Sequence, residues 1–374
     1  MSIKSNIKPE RVIVFIIDGW HWNAPDKLNM PVFKELVKGG TYIARSHMII
    51  PHHPTVGEYG QIHTSSFPNP VLQEGTLFVK ANNKMLQDMF SPDDITAFVV
   101  NTKAYISVSK GFGINIHNPN MSDEDVVNQS IELLEKYDIR YFRIHLQTPG
   151  NEGRYLSYTA ADRPYYRNIW GEGSPYVKSI EQADQLLGKL IDDLVRSGKW
   201  DSTLLVVTSD HGQSEQGWHP IVDEDSVMTP LLFTGPTIAK NRELSYFEHT
   251  DLSPTIAGLM GVERPNSDGG AGNFVKGILE FNEPEDFEHP KYIKTINRQL
   301  NEYNSLRAKM MLAGERDSYF SSLISYLENE LLTPEPFYHQ DRFLEWHKSK
   351  STQHLIEINN QIIEQMRQEL SKLN

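Results

Sequence analysis

The sequence predicts an α/β protein: a mixed, mostly parallel central sheet covered by helices on both faces, followed by a helical C-terminal region. Three observations predict it. Short apolar runs without charge, at residues 12–17 and 204–207, suit buried strands. Capped or amphipathic segments separate such runs, so strand and helix signals alternate up to about residue 262. From about Glu285 the strand signals stop, and Leu355, Ile358, Ile362, Ile363, Met366 and Leu370 form a helical stripe. The expected division is an α/β domain over residues 1–284 and a helical extension over residues 285–374. The stripe fits packing against the main domain, or the interface of a homodimer.

Composition narrows the function. The 374 residues are 39% hydrophobic and 23% charged, as in a globular protein. The formal net charge of -13 disfavours a nucleic-acid polymer as partner, because binding one relies on a positive field. A small anionic substrate stays open, since a bound metal can dominate the local charge. The chain has no cysteine, which excludes disulfides, thiolate nucleophiles and Cys-ligated zinc. No apolar run approaches the ~20 residues of a membrane span, so no membrane partner is expected. Residues 1–10 carry no apolar signal core, and the expected location is the cytoplasm.

The elements follow in order. The first strand ends in Asp18-Gly19, and Trp20, His21 and Trp22 come next, aromatics that can stack on a ligand or simply pack. Residues 30–37 read as a short helix and residues 41–50 as a strand. Thr55 then falls where a strand and loop lead into a helix. A helix N-terminus favours both an anion under attack and the anion produced, which makes Thr55 a candidate nucleophile. Threonine also caps helices well, so a plain cap is the competing reading. Residues 67–80 are loop-like, 94–100 read as a strand, and 105–119 are glycine-bearing and aromatic, placed to cover a site. Ser122 opens a helix with an acidic first turn. The strand at 141–147 delivers Gln147, Asn151 and Arg154 near its carboxyl end. Residues 155–175 have no period, and 177–196 form an amphipathic helix. The strand at 203–208 ends in Asp210-His211-Gly212, with His219 in the loop beyond. A further strand spans 228–234, and residues 249–261 start on capping residues and become a helix closed by Gly261.

Ligands of open α/β sheets sit outside the carboxyl ends of the strands. Two strands here each bring an Asp to that end, and Asp210 sets a hard oxygen donor beside an imidazole. The plain alternative is two carboxylates capping turns. The order of the signals resembles the alkaline phosphatase superfamily. Its markers are Ile17-Asp18-Gly19, the run from Thr208 to Gly212, and the run from His249 to Thr255. The resemblance covers about residues 10–265 and is nearest to the nucleotide pyrophosphatase/phosphodiesterase and sulfatase-like branches.

In that superfamily the nucleophile opens a helix, and a Thr-Gly or similar pair follows nine residues later; here Thr64-Ser65 follows Thr55 at that interval. The resemblance implies a divalent metal held by Asp18, Asp210, His211 and the Thr55 oxygen. Such a donor set suits zinc and also accepts manganese. Metal coordination activates a hydroxyl nucleophile, and the cation stabilises charge on the attacked group. Two-metal relatives carry Pro-Asp-x-x-Gly-His after the middle strand. Here Gly150 stands for the Asp and Arg154 for the His. His219 resembles the remaining ligand of that second site. One tight metal is therefore expected. At the second site, either Asn151, Gln147 or Asp162 completes a weak set, or Arg154 supplies its charge as a fixed fork. The implied function is metal-dependent hydrolysis or transfer of a phosphodiester or phosphomonoester through a covalent threonine intermediate. The alternatives are a sulfatase-like hydrolase, a phosphomutase, or a degenerate member that binds a phosphorylated ligand without turnover. A sulfatase makes its formylglycine from Cys or Ser, and position 55 holds neither.

Overall fold

The computed structural model describes residues 8–48, 72–73, 76–77, 84–220, 223–265, 272–284, 292–328 and 352–372. Thr55, Thr64 and Ser65 lie outside the described residues.

The centre of the sheet is β1 (Arg11–Ile17), buried along its whole length. It runs parallel between β7 (Ile139–Leu146) and β8 (Thr203–Thr208). Beyond β7 lie β5 (Ile95–Val100) and β6 (Ile114–His117), also parallel. Beyond β8, β9 (Met228–Thr234) runs antiparallel and pairs antiparallel with β2 (Gly40–His47). The short β10 (Arg242–Glu243) and β11 (Phe247–Glu248) pair parallel with β2 and complete a nine-stranded open sheet. The mixed, mostly parallel sheet read from the sequence is thus present, with β9 as its reversed strand. The stretch expected as loop holds a small hairpin of β3 (Leu72–Gln73) and β4 (Thr76–Leu77).

Side chains alternate along a strand, so β1 serves two layers. Ile13, Phe15 and Ile17 face the helices Pro31–Lys38, Asp123–Lys136 and Pro175–Arg196. Val12, Val14 and Ile16 face the helix Leu252–Met260 together with Leu86 and Tyr105. Cover on both faces explains why β1 reads as an unbroken apolar run instead of an alternating one. Each such buried aliphatic side chain contributes roughly 1.5–3 kcal/mol. The layers also cap one another. The helix Pro31–Lys38 has no local side-chain cap, and Asp184 of the Pro175–Arg196 helix accepts the Val32 and Phe33 N–H groups instead, at 3.0 and 2.8 Å.

The C-terminal helices Tyr292–Gly314, Ser318–Glu328 and Thr352–Ser371 share a third apolar cluster. The stripe of Leu355, Ile358, Ile362, Ile363 and Met366 is buried there, so it packs on the neighbouring C-terminal helices rather than on the sheet. Asn297 ties this region to the end of β2, its amide donating to the Met48 carbonyl at 2.7 Å.

One buried histidine makes stability depend on pH. His249 Nε2 lies 2.9 Å from both Ser46 Oγ and Thr229 Oγ1, and burial lowers its pKa from 6.5 to about 4. Between those values the unfolded chain binds the extra proton and the folded chain does not. Its contribution is therefore intact above 6.5 and lost as pH falls towards 4, worth roughly 3 kcal/mol in all. Urea unfolding at neutral and mildly acidic pH should show a smaller acid loss in His249→Asn than in the wild type. Parallel losses in the two chains would contradict a neutral buried His249.

Candidate active site

Asp18 and Asp210 leave the adjacent strands β1 and β8 at their carboxyl ends, 2% and 0% exposed. The chain turn after β1 is stitched to both neighbours. The Asp18 N–H donates to the Leu146 carbonyl at 3.0 Å. The Gly19 N–H donates to Asp210 Oδ1 at 3.2 Å, and the Trp20 N–H to Ser209 Oγ at 2.9 Å. Gly19 turns at φ 60°, in the left-handed region that favours glycine. Tyr176, from the Pro175–Arg196 helix, locks the turn: its hydroxyl accepts the His21 N–H at 2.8 Å and donates to the Gly19 carbonyl at 2.9 Å.

Around the two carboxylates stand two imidazoles and a phenol. His211 Nε2 lies 3.4 Å from Asp210 Oδ2 and 3.8 Å from Asp18 Oδ1. Its Nδ1 is 2.8 Å from the Gly212 carbonyl; a carbonyl only accepts, so Nδ1 carries the proton. Nε2 is left facing the carboxylates, where a cation or a proton completes the set. Tyr105 reaches both acids, its hydroxyl 2.8 Å from Asp18 Oδ2 and 2.9 Å from Asp210 Oδ2. His145 of β7 places Nε2 3.1 Å from Asp18 Oδ2. The donor atoms of Asp18, His145 and Asp210 lie within 4.8 Å of one another, a group that could hold a metal ion.

The electrostatics fit a cation. Burial, then the charge of Asp210, pushes the Asp18 carboxyl well above its usual range. Burial alone would raise Asp210 too, but the His211 and His145 rings, the Gly19 N–H and the Tyr105 hydroxyl outweigh it and leave it lowered. Burial lowers His145 to about 3 and keeps it neutral. Two carboxylates out of water are costly unless positive charge joins them. Ligand atoms of a tetrahedral ion with bonds of about 2.0–2.1 Å stand roughly 3.4 Å apart. The spacings around His211 are of that size, so the residues present fit a divalent ion.

The remaining sequence candidates divide. Gly150 lies in the helix Thr148–Leu156 and packs directly on Asp18: a Cβ there would stand 1.7 Å from Asp18 Oδ1. No side chain fits at 150 while Asp18 keeps its place. His219 is buried, its ring centroid 4.0 Å from that of His211. Trp218 stacks on His219 at 4.0 Å, and the Arg154 guanidinium lies 4.9 Å from the Trp218 ring. Arg154 is exposed and linked to His211 through the contacts of Trp218 and His219. Asn151 is exposed on the same helix, and Gln147 is half-buried at the helix start. Asp162 is exposed. Thr55 lies outside the described residues.

Three neighbours of the site went unnoticed in the sequence: His145, Arg143 and Gln213. Gln213 is fully buried and wedged against Gly153, where a Cβ would stand 2.3 Å from its Nε2. Tyr105 had been placed only in a covering segment. A signal existed for the β7 pair. In a strand covered on both faces, Arg143 and His145 alternate with Phe142, Ile144 and Leu146, which puts polar groups on a face that ought to be apolar.

Comparison with known proteins bears on the family and the fold. The sulfatase family model matches residues 67–262. The choline-sulfatase of Rhizobium meliloti (strain 1021) is 37% identical over 110 residues, 27% of this chain and 22% of that one. The 2,3-bisphosphoglycerate-independent phosphoglycerate mutase of Staphylococcus epidermidis is 27% identical over 157 residues, 40% of this chain and 26% of that one. The chain thus matches about a quarter of the length of these curated relatives. The phosphonate monoester hydrolase of Silicibacter pomeroyi superposes with a TM-score of 0.56 at 15% identity, over 75% of this chain and 78% of that one. The structural neighbours lie in the alkaline phosphatase superfamily, and at such identity they speak for the fold.

Proposed function

Since the chain belongs to the sulfatase family, we propose that it is a metal-dependent hydrolase or transferase of a small anionic ester, in the first place a phosphoester. The observation that carries this reading is His211 Nε2 standing 3.4 Å from Asp210 Oδ2 and 3.8 Å from Asp18 Oδ1, at cation-ligand spacing. In this reading those three side chains and the Thr55 oxygen hold one divalent ion, zinc or manganese. Bound there, the ion would supply the positive charge that a transferring phosphoryl group needs.

The chain's own residues do the rest. The Thr55 hydroxyl gives up its proton to solvent and its oxygen attacks phosphorus, forming a phosphothreonine ester as the bond to the leaving alkoxide breaks, and the alkoxide takes a proton from solvent. Water then cleaves that ester for hydrolysis, or a second acceptor does so for transfer. The packing of Gly150 against Asp18 supports a single tight ion, because the second-site carboxylate of the two-metal relatives has no room at that position. His219 then acts as a buried neighbour of His211 rather than the core of a second site.

A second reading, a sulfate ester as substrate, is favoured by the match to a choline-sulfatase. The absence of cysteine and the threonine at position 55 weigh against the formylglycine route.

The test is metal content of dialysed protein together with turnover of nitrophenyl phosphomonoesters, phosphodiesters, phosphonates and sulfates. One ion per chain and release from a phosphorus ester are expected. Preference for the sulfate would select the second reading. Two tight ions would refute the single-site assignment, and tight phosphate binding without any turnover would sink the enzyme reading.

A further inference from the structure

Three side chains stand around Asp18 and Asp210, and two of them are histidines that look interchangeable as metal ligands. Their outer nitrogens distinguish them. His211 Nδ1 faces a carbonyl, Gly212, at 2.8 Å and must donate, which presents Nε2 as a lone pair to the carboxylates. A ligand imidazole is held in this way, by a donor bond from its outer nitrogen.

His145 is held in the opposite way. Its Nδ1 lies 3.3 Å from Arg143 NH2, two residues along the same face of β7. A guanidinium has only hydrogens to offer, so Nδ1 must accept. A ring that accepts at Nδ1 carries its proton on Nε2, and Nε2 is the atom 3.1 Å from Asp18 Oδ2. Neither partner can turn away cheaply. Arg143 is fully buried with its guanidinium carbon 4.8 Å from the Phe98 ring centroid, and the Tyr105 ring lies 4.4 Å from His145.

We propose that His145 is a positioning residue and not a metal ligand: Arg143 fixes it as the Nε2–H tautomer, and it donates that hydrogen to Asp18 Oδ2. Together with the Tyr105 hydroxyl it occupies Oδ2 and turns Oδ1 towards His211 Nε2. The carboxylate is thereby set in one orientation before any ion arrives. The inference rests on the cation reading of the site, though its tautomer half stands without it.

The experiment uses the full chain labelled with 15N in histidine, and cadmium-113 as the probe ion. In the metal-free protein, long-range proton–nitrogen spectra should give His145 as Nε2–H, its signals assigned by their loss in His145→Gln. With cadmium bound, scalar coupling to nitrogen is expected for His211 and absent for His145. Metal affinity should also separate two variants. Glutamine keeps an N–H close to the position of Nε2, so His145→Gln should bind within about threefold of the wild type. His145→Leu should lose about 10–100-fold, as when an outer partner of a ligand is removed. An Nδ1–H tautomer, cadmium coupling to His145, or equal losses in the two variants would overturn the proposal. A wild-type chain that takes up no cadmium would instead overturn the cation reading, and the tautomer would then decide alone whether His145 orients Asp18.

Discussion

Thr55→Ala should fold and should lose turnover by at least roughly a thousandfold, as when the attacking group of an enzyme is removed. Only a hydroxyl and a methyl are deleted, and a lost helix cap costs about 1 kcal/mol. Thr55→Ser retains an oxygen at the same place and should keep part of the rate. The two effects are read separately, turnover by steady-state kinetics and folding by urea denaturation. A rapid quench of the wild type should trap a phosphoryl group on the peptide that contains Thr55, and the alanine variant should trap none. Near-normal rates in Thr55→Ala would leave water as the nucleophile and remove the covalent step.

Asp210→Asn should abolish tight metal binding without weakening the metal-free fold. Asparagine keeps an oxygen for the Gly19 N–H, now at 3.2 Å from Asp210 Oδ1. It also removes one of two buried like charges that meet at the Tyr105 hydroxyl. The pressure of Asp210 on the Asp18 carboxyl then disappears. A ligand at a hundred times its dissociation constant adds about 2.7 kcal/mol of stability. Zinc at that level should raise the unfolding midpoint of the wild type and leave the variant unmoved. A variant that gains as much from zinc as the wild type would mean that the ion sits elsewhere. A metal-free variant much less stable than the wild type would mean that Asp210 serves the fold through its hydrogen bonds.

The features legible in the sequence were those with a local cause. β1 and β8 declare themselves because burial on both faces demands an unbroken apolar run, and Asp18 and Asp210 stand where those runs stop. Helix ends were legible for the same reason: Ser122 caps its helix by accepting the Asp125 N–H, and Gly261 closes another at φ 72°. His145 was not legible as a neighbour of Asp18, because only the parallel register of β1 with β7, pairing Ile16 with His145, brings them together. Tyr105 lies 87 residues from Asp18 in sequence, in a stretch without period, so nothing local marks its hydroxyl. The C-terminal stripe gave the helix and its buried face. Which surface covers that face depended on two other helices, a contact that only the tertiary fold sets.

The three strands that deliver Asp18, Asp210 and His145 are the middle of the sheet, with β9 and β2 outside on one flank and β5 and β6 on the other. Backbone amides in such a place exchange with solvent only when the sheet as a whole opens, whereas loops and edges open locally. An ion held at the carboxyl ends of these strands would bind the folded chain and not the unfolded one. Its occupancy would then add to the stability of the whole fold. A cell short of the metal would accumulate chains that visit the unfolded state more often everywhere, and proteases would remove them. The abundance of the protein, and not only its rate per molecule, would then track the supply of the ion.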